Sequence, residues 1–433
     1  MQLLDKFFKL KENSTSIKKE FFAACTTFLA MLYIIPVGAD ILSQAGMPKD
    51  SLITSVSLVT AITTLLTGIW ANVPVAMSAG MGLNIFFTFG MVQTMGLSWQ
   101  QALGAVFLSG LIFLVISFTN LRAWIMQSIP KDLRIALCCG LGAFIATIGL
   151  KSIGIITTHG DHLGLGSLTQ PQILISIFGI FLLLLLHALN ITGSFILSIF
   201  ILSIIGWAFG YQEMPRELLS APSSIENIFW KMDILGILNI AMIPAIVSLL
   251  ITDLFDSLGT LSGIGIKANL FQDTTGKDKQ LEKTLQVDAL ATTAGPIFGL
   301  STTTAFLESA TGVNAGGRTG LTAVFVAFFF FLSIFFLPVF SAIPSFAIYP
   351  TLVVVGSLMF LEVRHIDFRD LPIGVATFFT IILMPLTSSI TIGLAAGFVM
   401  YTFLNIIQRK WERLHLGTWV LLLISIIPFA IPT

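Results

Sequence analysis

Asp253 and Asp256 stand three residues apart in the apolar run IVSLLITDLFDSLGTLSG, and Glu308 follows the hydroxyl cluster Ser301-Thr-Thr-Thr-Ala-Phe306. Residues three apart share a helix face, so both aspartates can serve one site. A carboxyl at mid-bilayer depth costs about 2.5–3.5 kcal/mol even on the lenient insertion scale, and its default reading is functional. Withdrawal from water favours the neutral carboxyl, so such a group can carry a proton. Asp256 is the first candidate for this proton-coupling role and Glu308 the second. Asp253 is divided between a direct role and an orienting hydrogen bond. Arg318, in GVNAGGRTG, reads as a cap or carboxylate partner. His187 reads as a packed or interhelical hydrogen-bonding residue. His159 and His162 lie in a polar loop with nothing to complete a metal site, and Cys25, Cys138 and Cys139 lack CxxC spacing and read as packing residues. Neither a nucleophile–base pair nor a metal cluster is present, so an enzyme is not expected and no cofactor is required beyond a coupling proton.

The chain that must position these residues is 433 long, 55% hydrophobic and only 10% charged, with mean hydropathy +0.95. A soluble surface needs more charge than that, so the expected partner is the lipid bilayer. Zero net charge argues against a nucleic-acid partner. About 20 apolar residues cross a hydrocarbon core as a helix, and the expected class is an all-α polytopic membrane protein. Apolar runs fall at 21–39, 52–70, 75–95, 101–120, 135–151, 171–188, 192–210, 241–261, 286–300, 303–317, 319–337, 346–361, 371–385 and 388–407, fourteen in all. Runs 286–300, 303–317 and 371–385 are short for a crossing. Lys6, Lys9, Lys11, Lys18, Lys19, Arg122, Lys131, Arg134, Lys267, Lys277, Lys279, Lys283, Arg364, Arg369, Arg409, Lys410 and Arg413 all fall on one side of this count. The positive-inside rule makes that side, with the N-terminus, cytoplasmic. The stretch 416–431 is left open between a fifteenth crossing and a helix lying on the membrane or on a partner.

Two segments repeat. Ser78-Ala-Gly-Met-Gly-Leu-Asn84 resembles Glu308-Ser-Ala-Thr-Gly-Val-Asn314, 230 residues later, and Thr26-Thr27-Phe28-Leu29 falls opposite Asp256-Ser257-Leu258-Gly259 at the same shift. Seven spans per half make the second half inverted, the plan of alternating-access carriers. Asn72-Val-Pro-Val-Ala-Met-Ser78 and Ser301-Thr-Thr-Thr-Ala-Phe306 are β-compatible and predict short extended stretches in segments 3 and 10. Extended backbone survives at that depth only against protein or a water-filled cavity. The half-helices that follow would aim unpaired N–H groups at a small polar solute. A purine, with ring N–H donors and acceptors, is a solute that a carboxylate can bind in bidentate fashion.

At Thr27-Phe-Leu-Ala-Met-Leu-Tyr-Ile-Ile-Pro36, Ala79-Gly-Met-Gly-Leu-Asn84, Asp253-Leu-Phe-Asp-Ser-Leu-Gly-Thr260 and Glu308-Ser-Ala-Thr-Gly-Val-Asn-Ala-Gly-Gly-Arg-Thr-Gly320 the chain resembles the AzgA-like purine permeases, nucleobase–cation symporters with the uracil-transporter fold. The resemblance implies a seven-plus-seven inverted repeat in the cell (inner) membrane. It implies a cytoplasmic N-terminus (1–20), a core domain (21–130 and 241–340), a gate domain (131–211 and 341–407) and a C-terminal tail (408–433). It puts the purine on Asp256, Glu308 and Asn84, beside the backbone of Ala79 and Gly80; Ser78, Thr26, Phe306 and Leu307 complete the candidate contact set. It implies proton-coupled uptake of hypoxanthine, guanine or adenine, and a homodimer formed through the gate. Val73-Pro74 and Ser78-Ala79-Gly80 depart from the Tyr-Pro and Ala-Pro-Gly that family members often carry. A sulfate- or bicarbonate-type anion carrier of the same fold, or a xanthine/uracil permease, are the alternatives. Acidic groups at the solute argue against an anion.

Overall fold

In the computed structural model, residues 2–119, 130–159, 162–239, 242–268 and 279–430 are described, so Arg122 and Lys277 lie outside the described residues. After α1 (Gln2–Phe8) the first apolar run forms α2 (Ile17–Met31) and α3 (Ile34–Ser43). The break between them follows from Pro36, which has no N–H to return to the carbonyl of Leu32. Next come α4 (Lys49–Leu66), prolonged by a wider turn through Ala71, then β1 (Met77–Ala79) and α5 (Met81–Ile85), which widens to Thr94. Helices α6 (Trp99–Ser117) and α7 (Lys131–Ile153) precede a small hairpin, β2 (Ile156–His159) and β3 (His162–Leu165). Helices α8 (Pro171–Ala188) and α9 (Ser194–Ala208) close the first half.

The second half begins with α10 (Ile243–Ala268) and α11 (Lys279–Ala294), followed by β4 (Thr303–Ala305) and α12 (Ser309–Asn314). It continues through α13 (Gly320–Ser333), α14 (Leu337–Ser341), α15 (Ser345–Phe360), α16 (Leu371–Thr387), α17 (Ile390–Ile407) and α18 (Leu416–Ala430). Eight helical stretches among the described residues are long and apolar enough to cross a bilayer, and shorter apolar helices accompany them. The chain is therefore a helical, multi-pass membrane protein.

Most helix packing falls within two groups. One contains α2, α3, α4, α6, α10, α11, α12 and α13; the other contains α7, α8, α9, α15, α16 and α17. Residues 416–430 form α18, which packs on α17 and α10; its Leu421 and Ile424 line a small cavity with Val247 and Ile251 of α10 and Leu394 and Phe398 of α17. Fifteen residues rise about 22 Å, short of the roughly 30 Å hydrocarbon core. It packs on its own chain.

The start of α13 is held from a distance. Glu20, fully buried on α2, accepts from the backbone N–H groups of Arg318, Thr319 and Thr322 and from the Thr322 hydroxyl (2.5 Å). A carboxylate at a helix N-terminus meets both orphan donors and the positive end of the dipole. Asn72, in the left-handed region (φ 53°), turns the chain before Pro74 and accepts from the Gly320 N–H at 2.8 Å. Arg318 donates to the carbonyls of Val313 (2.6 Å) and Gly317 (2.8 Å), so it caps the end of α12 as its sequence position predicts. His187 differs from expectation: it is exposed, and its ring approaches Phe195 edge-on at 6.1 Å.

Candidate functional site

Both segments predicted to interrupt their helices do so, and each supplies the other's backbone partners. β1 and β4 pair antiparallel, Met77 opposite Ala305, Ser78 opposite Thr304 and Ala79 opposite Thr303. The ladder extends at both ends, from Gly80 N–H to Thr302 O (2.9 Å) and from Phe306 N–H to Ala76 O (3.0 Å). Open strand edges would be intolerable in lipid, and hydroxyls from neighbouring helices meet them here. Thr64 of α4 accepts from Met77 N–H at 3.0 Å, and Ser309 of α12 accepts from Ala76 N–H at 3.0 Å. The strands begin at Met77 and Thr303, 226 residues apart, and the short helices at Met81 and Ser309, 228 apart. The sequence match at a shift of 230 is therefore out of structural register: it sets Ser78, inside a strand, against Glu308, the residue preceding a helix.

Four carboxyls surround this pair. Asp253 is fully buried on α10; its Oδ2 lies 2.8 Å from the Thr292 hydroxyl, which also lies 2.8 Å from the carbonyl of Thr303. Asp288, fully buried on α11, accepts from the Ala305 N–H at 3.2 Å. These two aspartates interact electrostatically and brace β4 from behind. The orienting hydrogen bond weighed for Asp253 is therefore present. Asp256 and Glu308 are only half-buried and interact with each other. Glu308 Oε1 accepts from the Tyr33 hydroxyl at 2.6 Å. No hydrogen bond from a described residue reaches the Asp256 carboxylate.

The remaining candidates divide. Asn84 is fully buried on α5, and its Oδ1 accepts from the Ser301 hydroxyl. Ala79 and Gly80 are buried at the strand end, with the Thr304 methyl 3.1 Å from where a Cβ at Gly80 would stand. The Ser78 hydroxyl is engaged with Thr60 at 2.6 Å. Phe306 is buried and Leu307 is 56% exposed. Thr26 spends its hydroxyl on its own helix, bonding to Ala23 O at 2.7 Å. Its neighbour Thr27 instead faces α12, at Gly312. Asn84 Nδ2, Asp253 Oδ1, Asp288 Oδ2, Thr302 Oγ1 and Thr303 Oγ1 are buried without a hydrogen-bond partner among the described residues. Buried polar atoms normally have one, and so many around one strand pair mark a place built for polar chemistry.

Asp288, Glu20 and Tyr33 escaped the sequence reading. The ninth run, read as 286–300, starts as a helix at Lys279, and the polar residues of its first turns hid it. The signal was present: Leu281, Thr284, Leu285, Asp288 and Thr292 recur at helical spacing and are buried. Asp288→Ala leaves the Ala305 N–H buried and unpaired, which costs about 1–3 kcal/mol. A melting temperature several degrees below wild type in detergent is the expected result, with Asp288→Asn, still an acceptor, close to wild type. An unshifted Asp288→Ala protein would show that β4 does not depend on this bond.

A polar cleft of about 310 Å³ opens elsewhere, lined by Ser152, Gln170, Gln172, Tyr211, Gln212 and Tyr349 among others; Asp256, Glu308 and Asn84 do not line it. The broken helices and their acids are the arrangement expected of a carrier. A family model described as Permease family matches residues 18–408. The chain belongs to the Permease family. The relatives of this permease include a putative permease of Methanocaldococcus jannaschii, 41% identical over 99% of this chain and 98% of the relative. Adenine permease AdeP of Escherichia coli is 37% identical (93% and 91%), and guanine/hypoxanthine permease PbuO of Bacillus subtilis is 36% identical (94% and 96%). The fold of this permease is similar to that of the transmembrane domain of a cyanobacterium bicarbonate transporter, BicA, with TM-score 0.64 at 12% identity, covering 88% of this chain and 96% of that one. It is also similar to SLC26A9, with TM-score 0.62 at 13% identity, over 91% and 66%. Members of the Permease family carry solutes across membranes; this is a transporter and not an enzyme.

Proposed function

We propose that this permease takes up purine nucleobases, coupled to protons, by alternating access in the cell membrane with its N-terminus in the cytoplasm. The observation that carries the reading is the β1–β4 pair, with half-buried Asp256 and Glu308 and a set of unpartnered polar atoms around it. A purine presents adjacent donors and acceptors in one plane, which two carboxylates and an amide can satisfy together. Asp256 takes the ring N–H groups, Glu308 and Asn84 take the far edge, and the buried backbone of Ala79 and Gly80 bounds the site. Asp256 or Glu308 carries the coupling proton, while Asp253 and Asp288 position β4. The names of AdeP and PbuO support a purine.

Alternating access needs two bodies that move past one another, and the two helix groups supply them. The group bearing α10 and α12 is the core, and the group bearing α8, α9 and α15 is the gate through which two copies pair. The chain is organised as fourteen segments in a seven-plus-seven inverted repeat. An anion carrier is the second reading, favoured by likeness to a bicarbonate transporter; the acidic groups at the site oppose it.

The test is uptake of labelled adenine, hypoxanthine and guanine by cells lacking their own purine carriers, with and without a protonophore. Purine accumulation that collapses with the proton gradient is expected; uptake of bicarbonate or sulfate but of no base would overturn the reading. Glu308→Gln is expected to raise the half-saturating purine concentration about tenfold or to abolish the response to the protonophore. Wild-type values for both would remove Glu308 from the mechanism.

A further inference from the structure

Glu308 is tied to the second helix group through one residue. Tyr33 sits at the α2–α3 break and is 2% exposed. Its hydroxyl donates to Glu308 Oε1 at 2.6 Å, while its ring stacks on Phe195, centroids 4.8 Å apart and planes at 25°. Phe195 is the second residue of α9, which packs on α8 and α15. The start of α9 presses on α2: a Cβ at Gly193 (φ 75°) would lie 3.2 Å from the carbonyl of Leu29, one helical turn before Tyr33. The same side chain thus touches a candidate solute ligand with its polar end and the opposing helix group with its apolar face. Nothing in the solute chemistry assigned above uses it.

We propose that Tyr33 is a positioning residue that holds Glu308 for the solute and carries the state of that carboxylate to the seam between the helix groups. The inference rests on the purine reading of the site. Tyr33 occupies Oε1, which fixes the rotation of the carboxylate and leaves Oε2 to face a solute. A phenol donating to a charged carboxylate makes a stronger bond than one donating to a neutral acceptor. A proton arriving at Glu308 therefore weakens Tyr33's hold, and the ring is freed to shift against Phe195. The two ends of the side chain predict separable effects: the hydroxyl governs affinity and the stack governs the rate at which the groups move.

The experiment measures equilibrium binding of the preferred purine to purified full-length protein, and initial uptake rates in reconstituted vesicles. Tyr33→Phe keeps the stack and removes the bond to Glu308; its dissociation constant should rise about tenfold, because Glu308 must then be ordered at the moment of binding. Phe195→Ala removes the stack; its dissociation constant should stay within about twofold while maximal uptake changes about fivefold. Phe195→Tyr, which preserves the stack, should restore the rate, and Phe195→Leu replaces the alanine variant if that one is not monodisperse. Wild-type affinity in Tyr33→Phe overturns the inference, as does equal loss of affinity in both variants, because a purely packing role would give that result. Failure of the wild-type protein to bind any purine refutes the purine reading itself and is distinct from both outcomes.

Discussion

Asp256→Asn is expected to abolish purine accumulation while leaving the amount of folded protein in the membrane unchanged. Asp256 lies one turn from Asp253, but its setting is opposite. Asp253 is fully buried and bonded to Thr292, whereas Asp256 is half-buried with no described residue bonded to its carboxylate. An amide of the same shape at an unbonded position should leave stability within about half a kcal/mol. Binding is another matter. Two hydrogen bonds from ring N–H groups to a carboxylate contribute about 1.5–3 kcal/mol each, and asparagine offers a neutral acceptor with one oxygen. Purine affinity should therefore fall about a hundredfold or more. Uptake assays paired with immunoblots of purified membranes check this. Undiminished uptake by the variant would remove Asp256 from the site.

Gly320→Val is expected to prevent folding almost entirely. A Cβ at Gly320 would stand 2.0 Å from the carbonyl oxygen of Gly68, and a Cβ at Gly68 would stand 2.6 Å from that of Gly320. The end of α4 and the start of α13 thus cross backbone to backbone, the contact that small residues permit between membrane helices. Overpacking costs about 1–3 kcal/mol where side chains can yield; here the obstacle is a carbonyl that cannot rotate away. The same residue donates its N–H to Asn72, beside the Glu20 cap, so a displaced α13 forfeits those bonds too. Gly374→Ala is the control, since its added methyl would meet nothing nearer than 3.6 Å. Size-exclusion chromatography of solubilised protein should show loss of the monodisperse peak for Gly320→Val alone. Equal peaks for the two variants would contradict the crossing.

Hydropathy made the helices legible because transfer to lipid is a property of each run taken by itself. The sixth run, read as 171–188, coincides with α8. The interruptions were legible as well, since Pro74 and the β-branched Thr302–Thr304 cluster disfavour helix locally. What escaped was pairing at a distance. Two three-residue strands carry no alternation from which to read a register, so the opposition of Ser78 to Thr304 could not be inferred and the repeat was aligned out of step. Glu20 looked like the last residue of a polar tail because its partners lie about 300 residues away. Which side of α2 meets α12 is not written in the sequence; the close approach of Thr27 to Gly312 shows it. Asp256 and Glu308 are conspicuous as acids in apolar runs, while Asp288, in a mixed run, is not.

Determination of a structure with a saturating purine tests most directly whether the two interrupted helices form the solute site. The base should lie between the end of β1 and the start of α12, with ring nitrogens within hydrogen-bonding distance of Asp256 and its far edge toward Glu308 and Asn84. A base seated instead in the polar cleft between Ser152 and Tyr349, with Asp256 untouched, would contradict the account.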